Sequence, residues 1–474
     1  MAFALVEQLD IQGNILAGYS FDHALFVVLR VTDPEAGRRW LGEYVDQVTT
    51  AVRLDRRGRE TEATVNVAFT YDGLRALGVS AGVLECFPDD FRQGMAARAH
   101  LLGDDGANAP ARWELGIRPG DPHVLVTLTA KEGDVLAAAR GAIAERAAGE
   151  RVGVHIVHEV STSVIKDPNR ATVAREHFGF ADGLAQPSIA GRARHRPWRR
   201  VGPTARPGQG TPFRMPGARA LPRWKPLAAG EFVLGYRDEA GLVAGARGGR
   251  LAPFLRNGSY MVVRKLRQDV ALFNRYMDAA AGSDGDPELL AAKVVGRWRD
   301  GTPLVKSPAA PPARTREEPD NNFRYGKDPY GFGCPLGAHI RRSNPRDSLG
   351  FGHRLTARHR IIRRGMPYGP PPADGPGTRK EDGIERGLMF VCYQASIERQ
   401  FEVIQGRWLS DGDAFGLGDE RDFLLGGGDP VGKMTLQGEP PRILAPRRSF
   451  VLNRGGGYFF APGIAALRAL ANGV

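Results

Sequence analysis

Three short stretches hold residue types that could do chemistry together. HFGFADGLAQPS (177–188) sets one carboxylate, Asp182, among small residues. FGCPLGAHIRRSNPRDS (332–348) places His339 ahead of two arginines, and RHRIIRRGMPYG (358–369) puts Arg363 at the end of an apolar pair. A carboxylate moves protons, an imidazole moves protons or ligates a metal, and a guanidinium holds developing negative charge. Each also has a plainer use. Asp-Gly is a common turn pair, because Asp tolerates left-handed backbone and Gly supplies positive φ. The same bareness admits close approach by something flat and bulky. A histidine taken alone is more often a hydrogen-bonded structural residue than a ligand. Arg363 has a structural salt bridge as its bland reading, with Arg364 as the solvated neighbour.

The elements that must position these residues follow from hydrophobic spacing. HALFVVLRV (23–31), ATVNVAF (from 63), HVLVTLTA (123–130) and VGVHIVHEVST (152–162) read as strands. PEAGRRWLGEYVDQVTT (34–50) opens with Pro and Glu and continues at helical spacing. GDVLAAARGAIAERAAG (133–149) is a helix ended by Gly. This order, β-α-β then β-α-β, suits a split βαβ, ferredoxin-like sheet. The second half repeats it. GSYMVVRKL (258–266) leads into a helix, PELLAAKVVGRW (287–298) is another helix, GLMFVCYQAS (387–396) leads into IERQFEVIQGRW, and RSFVLNRGGGYFFAPG (448–463) is a strand broken by glycines. Residues 302–385 are rich in Pro, Gly and Arg with little regular pattern; a loop of that length inside a compact protein is usually functional.

Composition narrows the class. The 474 residues are 42% hydrophobic and 25% charged, ordinary for a globular chain long enough for more than one domain. No run approaches 18 apolar residues, so no membrane partner is expected. The N-terminal residues lack a basic region before an apolar core, which points to the cytoplasm. Cys86, Cys334 and Cys392 are too widely spaced for a disulfide framework or a zinc site. The net charge of +12 raises the question of nucleic acid. Residues 192–225 supply most of the excess, with ten Lys/Arg and no Asp/Glu, and they read as a basic Pro/Gly-rich insertion with a solvated face. That concentration in one segment argues against nucleic acid as the partner.

With these residues in view, the chain resembles the dye-decolorizing peroxidases over nearly its whole length. IQGNIL (11–16), GFADG (179–183), RNGSYMVVRKLRQD (256–269), GCPLGAHIRRSNPR (333–346), IIRRGMPYG (361–369), GLMFVCYQASIERQFEVIQ (387–405) and RGGGYFFAPGI (454–464) match the family's segments in order. GxxDG alone is a weak signal; the ordered set is specific. The long basic insertion resembles the longer branch of the family.

The resemblance implies an α+β fold. It would have two ferredoxin-like subdomains, antiparallel sheets flanked by helices, and haem between them on the C-terminal side. The units are 1–190 with GxxDG, the insertion 191–227, and 228–474 with the haem. It implies one haem b per chain, with His339 as the proximal iron ligand. Asp182 is then the proton shuttle and Arg363 the distal cation in O–O cleavage of hydrogen peroxide. Gly179, Phe180, Ala181 and Gly183 are expected against the cofactor, the glycines letting backbone lie over the porphyrin edge. Arg264 and Arg341 are candidates to pair with the propionates, since Arg suits bidentate carboxylate contacts. Glu398 and Glu402, one turn apart on the helix after GLMFVCYQAS, are each within sequence reach of His339 and equally read as surface charges. The reducing substrates implied are dyes, phenolics and similar small aromatic donors, and a homo-oligomer is compatible with this reading. The alternative is a haem-binding or iron-releasing protein with weak peroxidase activity. A carboxylate with an ordinary pKa of about 3.9 remains a base in acid, so turnover is expected to favour acidic pH.

Overall fold

The apolar runs become strands close to where the spacing sets them. The computed structural model describes residues 6–18, 21–52, 61–114, 122–147, 153–167, 170–191, 205–213, 223–244, 252–311, 321–350, 353–426 and 432–473. The first half contains β1 (His23–Val31), α1 (Pro34–Tyr44), β2 (Ala63–Phe69), β3 (Val124–Ala130), α2 (Gly133–Ala147) and β4 (Val154–Ser163). Its strands lie side by side in the order β4-β1-β3-β2, the ferredoxin-like arrangement. The second half contains β5 (Ser259–Gln268), α3 (Val270–Ala281), α4 (Pro287–Val295), α5 (His339–Ser343), β6 (Ile362–Arg363), β7 (Met366–Tyr368), β8 (Gly387–Gln394), the helix Ile397–Leu409, β9 (Val451–Ala461) and α6 (Ile464–Ala471). It repeats the same order, with β9, β5 and β8 followed by β6 and β7.

The two halves do not form separate sheets. They share one nine-stranded sheet, β6-β8-β7-β4-β1-β3-β2-β9-β5, and β8 also pairs with β5, which closes it into a barrel. The seams are thin: Tyr368 pairs with Thr162 at one, and Phe460 with Phe69 at the other. Closure removes the free edges that two open sheets would leave. It also buries both faces of the strands, which is why β1 is a continuous apolar run. Leu25, Val27 and Leu29 point into a core shared with Trp40 and Leu41 of α1. Ala24, Phe26 and Val28 alternate to the other face and meet Ile11, Ile15 and Phe459.

Helix starts are set by local chemistry. Asp33 accepts from the Ala36 amide at 2.6 Å with Pro34 next in line, and Asp269 caps α3 through the Leu272 amide at 2.9 Å. The helix Ile397–Leu409 is capped by Ser396 and wound in wide π turns, a form often found at functional sites. Between α3 and β6 the second half carries 80 residues, 282–361, including α4, α5 and His339. The basic insertion lies largely outside the described residues. Of its described part, Thr211–Phe213 pairs with Arg223–Lys225, and Trp224 is buried. No helix among the described residues is long and apolar enough to cross a membrane.

Candidate functional site

A cavity of about 290 Å³ opens where the barrel meets the long connection and the π-wound helix. Phe180, Leu266, Val295, Phe390, Ile404 and Leu425 make it apolar, and Asp182, His339 and Arg363 all line it. Residues more than 150 positions apart in sequence are therefore brought to one space. Asp182 Oδ1 lies 3.2 Å from Arg363 Nη1, with the two side chains 30% and 37% exposed.

The loop bearing Asp182 is shaped by the half-buried Glu176. Its carboxylate accepts from the Phe178 and Phe180 amides at 2.9 and 2.8 Å, and from Gln268 at 2.5 Å. Burial pushes its pKa up. Phe180 and Ala181 line the cavity with Asp182, as expected, whereas Gly179 and Gly183 stand off it. The reason for glycine there is backbone conformation: φ is +90° at 179 and +75° at 183. A Cβ on Gly179 would also meet Pro376 at 2.7 Å. The positive φ at both positions is what the turn reading requires, and a Cβ on Gly183 would meet nothing within 4 Å.

His339 begins the five-residue helix α5, which packs against the end of α4. Gly296 at that end has φ +94°, and a Cβ there would strike Ile340 Cγ1 at 2.5 Å, so the close approach depends on glycine. His339 Nδ1 sits 3.1 Å from Asp422 Oδ2 and 3.2 Å from Oδ1. Asp422 is fully buried, and the Leu424 and Leu425 amides donate to its Oδ1 at 3.0 and 2.7 Å. Burial pushes the carboxyl up, but His339, Arg342 and the Leu425 amide outweigh it and hold it below the usual carboxylate range. The contact favours the tautomer with the proton on Nδ1, leaving a lone pair on Nε2.

Several expected roles move. Neither Glu398 nor Glu402 touches His339. Glu402 binds Arg98 through two 2.6 Å contacts and accepts from Tyr458 at 2.9 Å; Glu398 is exposed, its amide bonded to Asp90. The carboxylate behind the histidine is Asp422, in RDFLL, and its only sequence signal is an acid at the head of a short apolar run. Arg341 is 1% exposed and lies off the cavity. Its guanidinium bonds Cys334 O at 2.7 Å, Asp328 O at 2.8 Å and the Asp328 carboxylate at 3.1 Å, over the Tyr325 ring. Arg264 does reach the cavity, but its charge is met by the buried Asp104. Arg342 joins α5 to the π-wound helix by donating to Trp408 O at 2.7 Å.

Other arginines supply the positive charge at the wall. Arg297, Arg346 and Arg360 line the cavity; Arg297 donates to Gly301 O and Asn321 Oδ1, and Arg360 to Ala185 O and Gly208 O. Burial first, then neighbouring arginines, lowers Arg297 to about 10 and Arg360 to about 9. The buried Tyr325 hydroxyl on the same wall has no hydrogen-bond partner among the described residues. No group of three or more His, Cys, Asp and Glu that could hold a metal ion occurs among the described residues. A metal at His339 would have to bring further ligands with it. An apolar slot with one carboxylate-backed imidazole, the Arg297 and Arg360 guanidiniums on its wall and an orphaned hydroxyl fits a flat metal macrocycle with acidic substituents, as haem is.

Comparison with known proteins points the same way. Residues 10–164 match the family model of the DyP dimeric alpha+beta barrel domain, and residues 249–417 match that of the Dyp-type peroxidase C-terminal region. The chain is 28% identical to dye-decolorizing peroxidase msp1 of Mycetinis scorodonius, over 97% of this chain and 87% of that one. It is 29% identical to the multifunctional dye peroxidase DyP2 of an Amycolatopsis species, over 97% and 95%. A solved dye-decolorizing peroxidase in complex with 2,6-dimethoxyphenol superposes with TM-score 0.79 at 27% identity, covering 98% of this chain and all of that one. Likeness to a deferrochelatase of Yersinia pestis, at 31% identity, spans only 32% of this chain and 27% of the relative.

Proposed function

The chain belongs to the dye-decolorizing peroxidase family, and from that premise we propose that it reduces hydrogen peroxide at a haem held by His339 and oxidises dyes and phenolics. The observation that carries the reading is a single cavity lined both by a carboxylate-backed imidazole and by an aspartate–arginine pair. Mere haem storage needs only the first. The brief likeness to a deferrochelatase gives the storage reading less support than the full-length likeness to peroxidases.

Bound haem supplies the redox-active iron at which peroxide is reduced to water. His339 would hold it through Nε2, while Asp422 fixes the ring and makes that nitrogen a stronger donor. Asp182 takes the proton from one peroxide oxygen onto a carboxylate oxygen and delivers it to the other, so that water departs. The Arg363 guanidinium holds the negative charge that builds as the O–O bond breaks, and its permanent charge needs no proton of its own. Arg297 and Arg360 are proposed to face the haem carboxylates, in place of Arg341. No cysteine among the described residues lines the cavity, in keeping with the haem b proposed here; the one cavity with a carboxylate-backed imidazole suggests one haem per chain.

The test is direct. Protein loaded with haem and given one equivalent of peroxide is expected to shift its visible haem band, then return when 2,6-dimethoxyphenol is added. An unchanged spectrum on adding peroxide would overturn the peroxidase reading.

A further inference from the structure

We infer that Gln186, which lies off the cavity, is the positioning residue that holds Arg363 in reach of Asp182; the inference rests on the proposed role of that pair. The argument begins with the sheet. β6 precedes β7 in one register along the same edge of β8, and among the described residues it pairs only with β8, Ile362 opposite Tyr393 and Arg363 opposite Cys392. In an antiparallel ladder, alternate residues direct their N–H and C=O groups away from the partner strand. The Arg364 amide donates inward, to Val391 O at 2.7 Å, so the Arg363 groups face outward, where no strand continues the sheet.

Gln186 takes the place of that strand. Its Oε1 accepts from the Arg363 amide at 3.1 Å and its Nε2 donates to Arg363 O at 3.0 Å. One side-chain amide thus makes the two hydrogen bonds that a neighbouring residue in a ladder would make. It does so from the loop that bears Asp182, four residues earlier. The same loop is fastened to the same segment twice more: Arg363 Nη2 donates to Leu184 O at 2.8 Å, and Arg360 Nη2 to Ala185 O at 2.6 Å. Ala185, between these anchors, has φ +59°, a left-handed backbone that alanine adopts only when its surroundings hold it.

The consequence is mechanical. The Asp182–Arg363 contact is half exposed to water and cannot by itself define the spacing of its two groups. The uncharged clamp can, because it fixes the backbone from which the guanidinium extends. Displacing a reacting group by about 1 Å costs on the order of 100-fold in rate. Gln186 therefore acts on the reaction through Arg363 without touching peroxide.

Three variants test this: Gln186→Met, which keeps length and loses both hydrogen bonds, Gln186→Glu, which keeps only the acceptor for the Arg363 amide, and Arg363→Leu. The rate of the haem-loaded protein with peroxide is expected to fall roughly 10- to 100-fold in Gln186→Met and less in Gln186→Glu. The KM for the phenolic donor should stay at the parent value. In the haem-free protein, amide hydrogen exchange of the peptide spanning residues 361–365 is expected to rise about tenfold or more in Gln186→Met, with Gln186→Glu between it and the parent. Parent-like exchange or a parent-like peroxide rate in Gln186→Met, with Arg363→Leu slow, overturns the clamp alone. A parent-like peroxide rate in Arg363→Leu overturns the role of the pair and the clamp's meaning with it.

Discussion

Two aspartates serve the cavity, and they are built oppositely. Asp422 is fully buried, held by two backbone amides and by His339, with Arg342 close by. Asp182 is 30% exposed and is met by Arg363 at 3.2 Å and its own neighbour's amide at 2.6 Å. A carboxylate that must keep a ring still needs every lone pair engaged. A carboxylate that must receive and release a proton needs some left open. The difference in burial thus separates a fixed anion from an exchanging one, although the residue type is the same. It also separates the two predictions that test them: loss at the first should show as cofactor retention, and loss at the second as peroxide chemistry.

The largest effect is expected from His339→Ala, which removes what Asp422 orients. Haem affinity should fall by on the order of 100-fold or more, read as haem lost on gel filtration. A variant that retains haem as tightly as the parent would show that the ring is held from elsewhere. Arg363→Leu should keep haem and slow its reaction with peroxide by about 100- to 1,000-fold in stopped flow, the range for removing one group that stabilises developing charge. Asp422→Asn comes next. It leaves a neutral partner for His339, so haem affinity should drop roughly 10- to 100-fold, more than peroxide reactivity per bound haem does. If Asp422→Asn lost only peroxide reactivity, the contrast between the two aspartates would fail.

Much of this arrangement is readable from the sequence, and the unread part has a physical pattern. The long strands and helices were legible because apolar spacing reports a buried face. Asp182, His339 and Arg363 stood out because each sits in a motif of small or apolar residues. Barrel closure was not legible, since it depends on single bridges, Tyr368 with Thr162 and Phe460 with Phe69, rather than on any run of residues. Strand β6 is two residues long and leaves no periodicity. The arginines misled for a different reason. In HIRRSNPR, all three arginines donate to backbone carbonyls, and type alone does not say which lie off the cavity, as Arg341 and Arg342 do, and which lines it, as Arg346 does. Asp422 is 83 residues from His339, so no spacing within a motif could link them.

The remaining effect concerns acid, is read as stability rather than rate, and falls on the Asp182 side alone. His177, two residues before GFADG, is 1% exposed, and its Nε2 lies 2.8 Å from Tyr368 O at the seam between the halves. Its Nδ1 has no partner among the described residues, so a second proton would be buried there without an acceptor. Burial lowers its pKa to about 4, against about 6.5 in an unfolded chain. The unfolded chain therefore takes up the proton first as pH falls. Stability from this group is level above neutrality, declines below about 6.5, and is lost through about 4, by roughly 3 kcal/mol at most. His177→Gln keeps a donor for Tyr368 O and removes the titration. Urea unfolding of the haem-free protein at pH 7 and pH 4.5 should show a smaller difference in the variant than in the parent. An identical pH slope in parent and variant would place that acid sensitivity elsewhere, at His353, which burial also lowers to about 4.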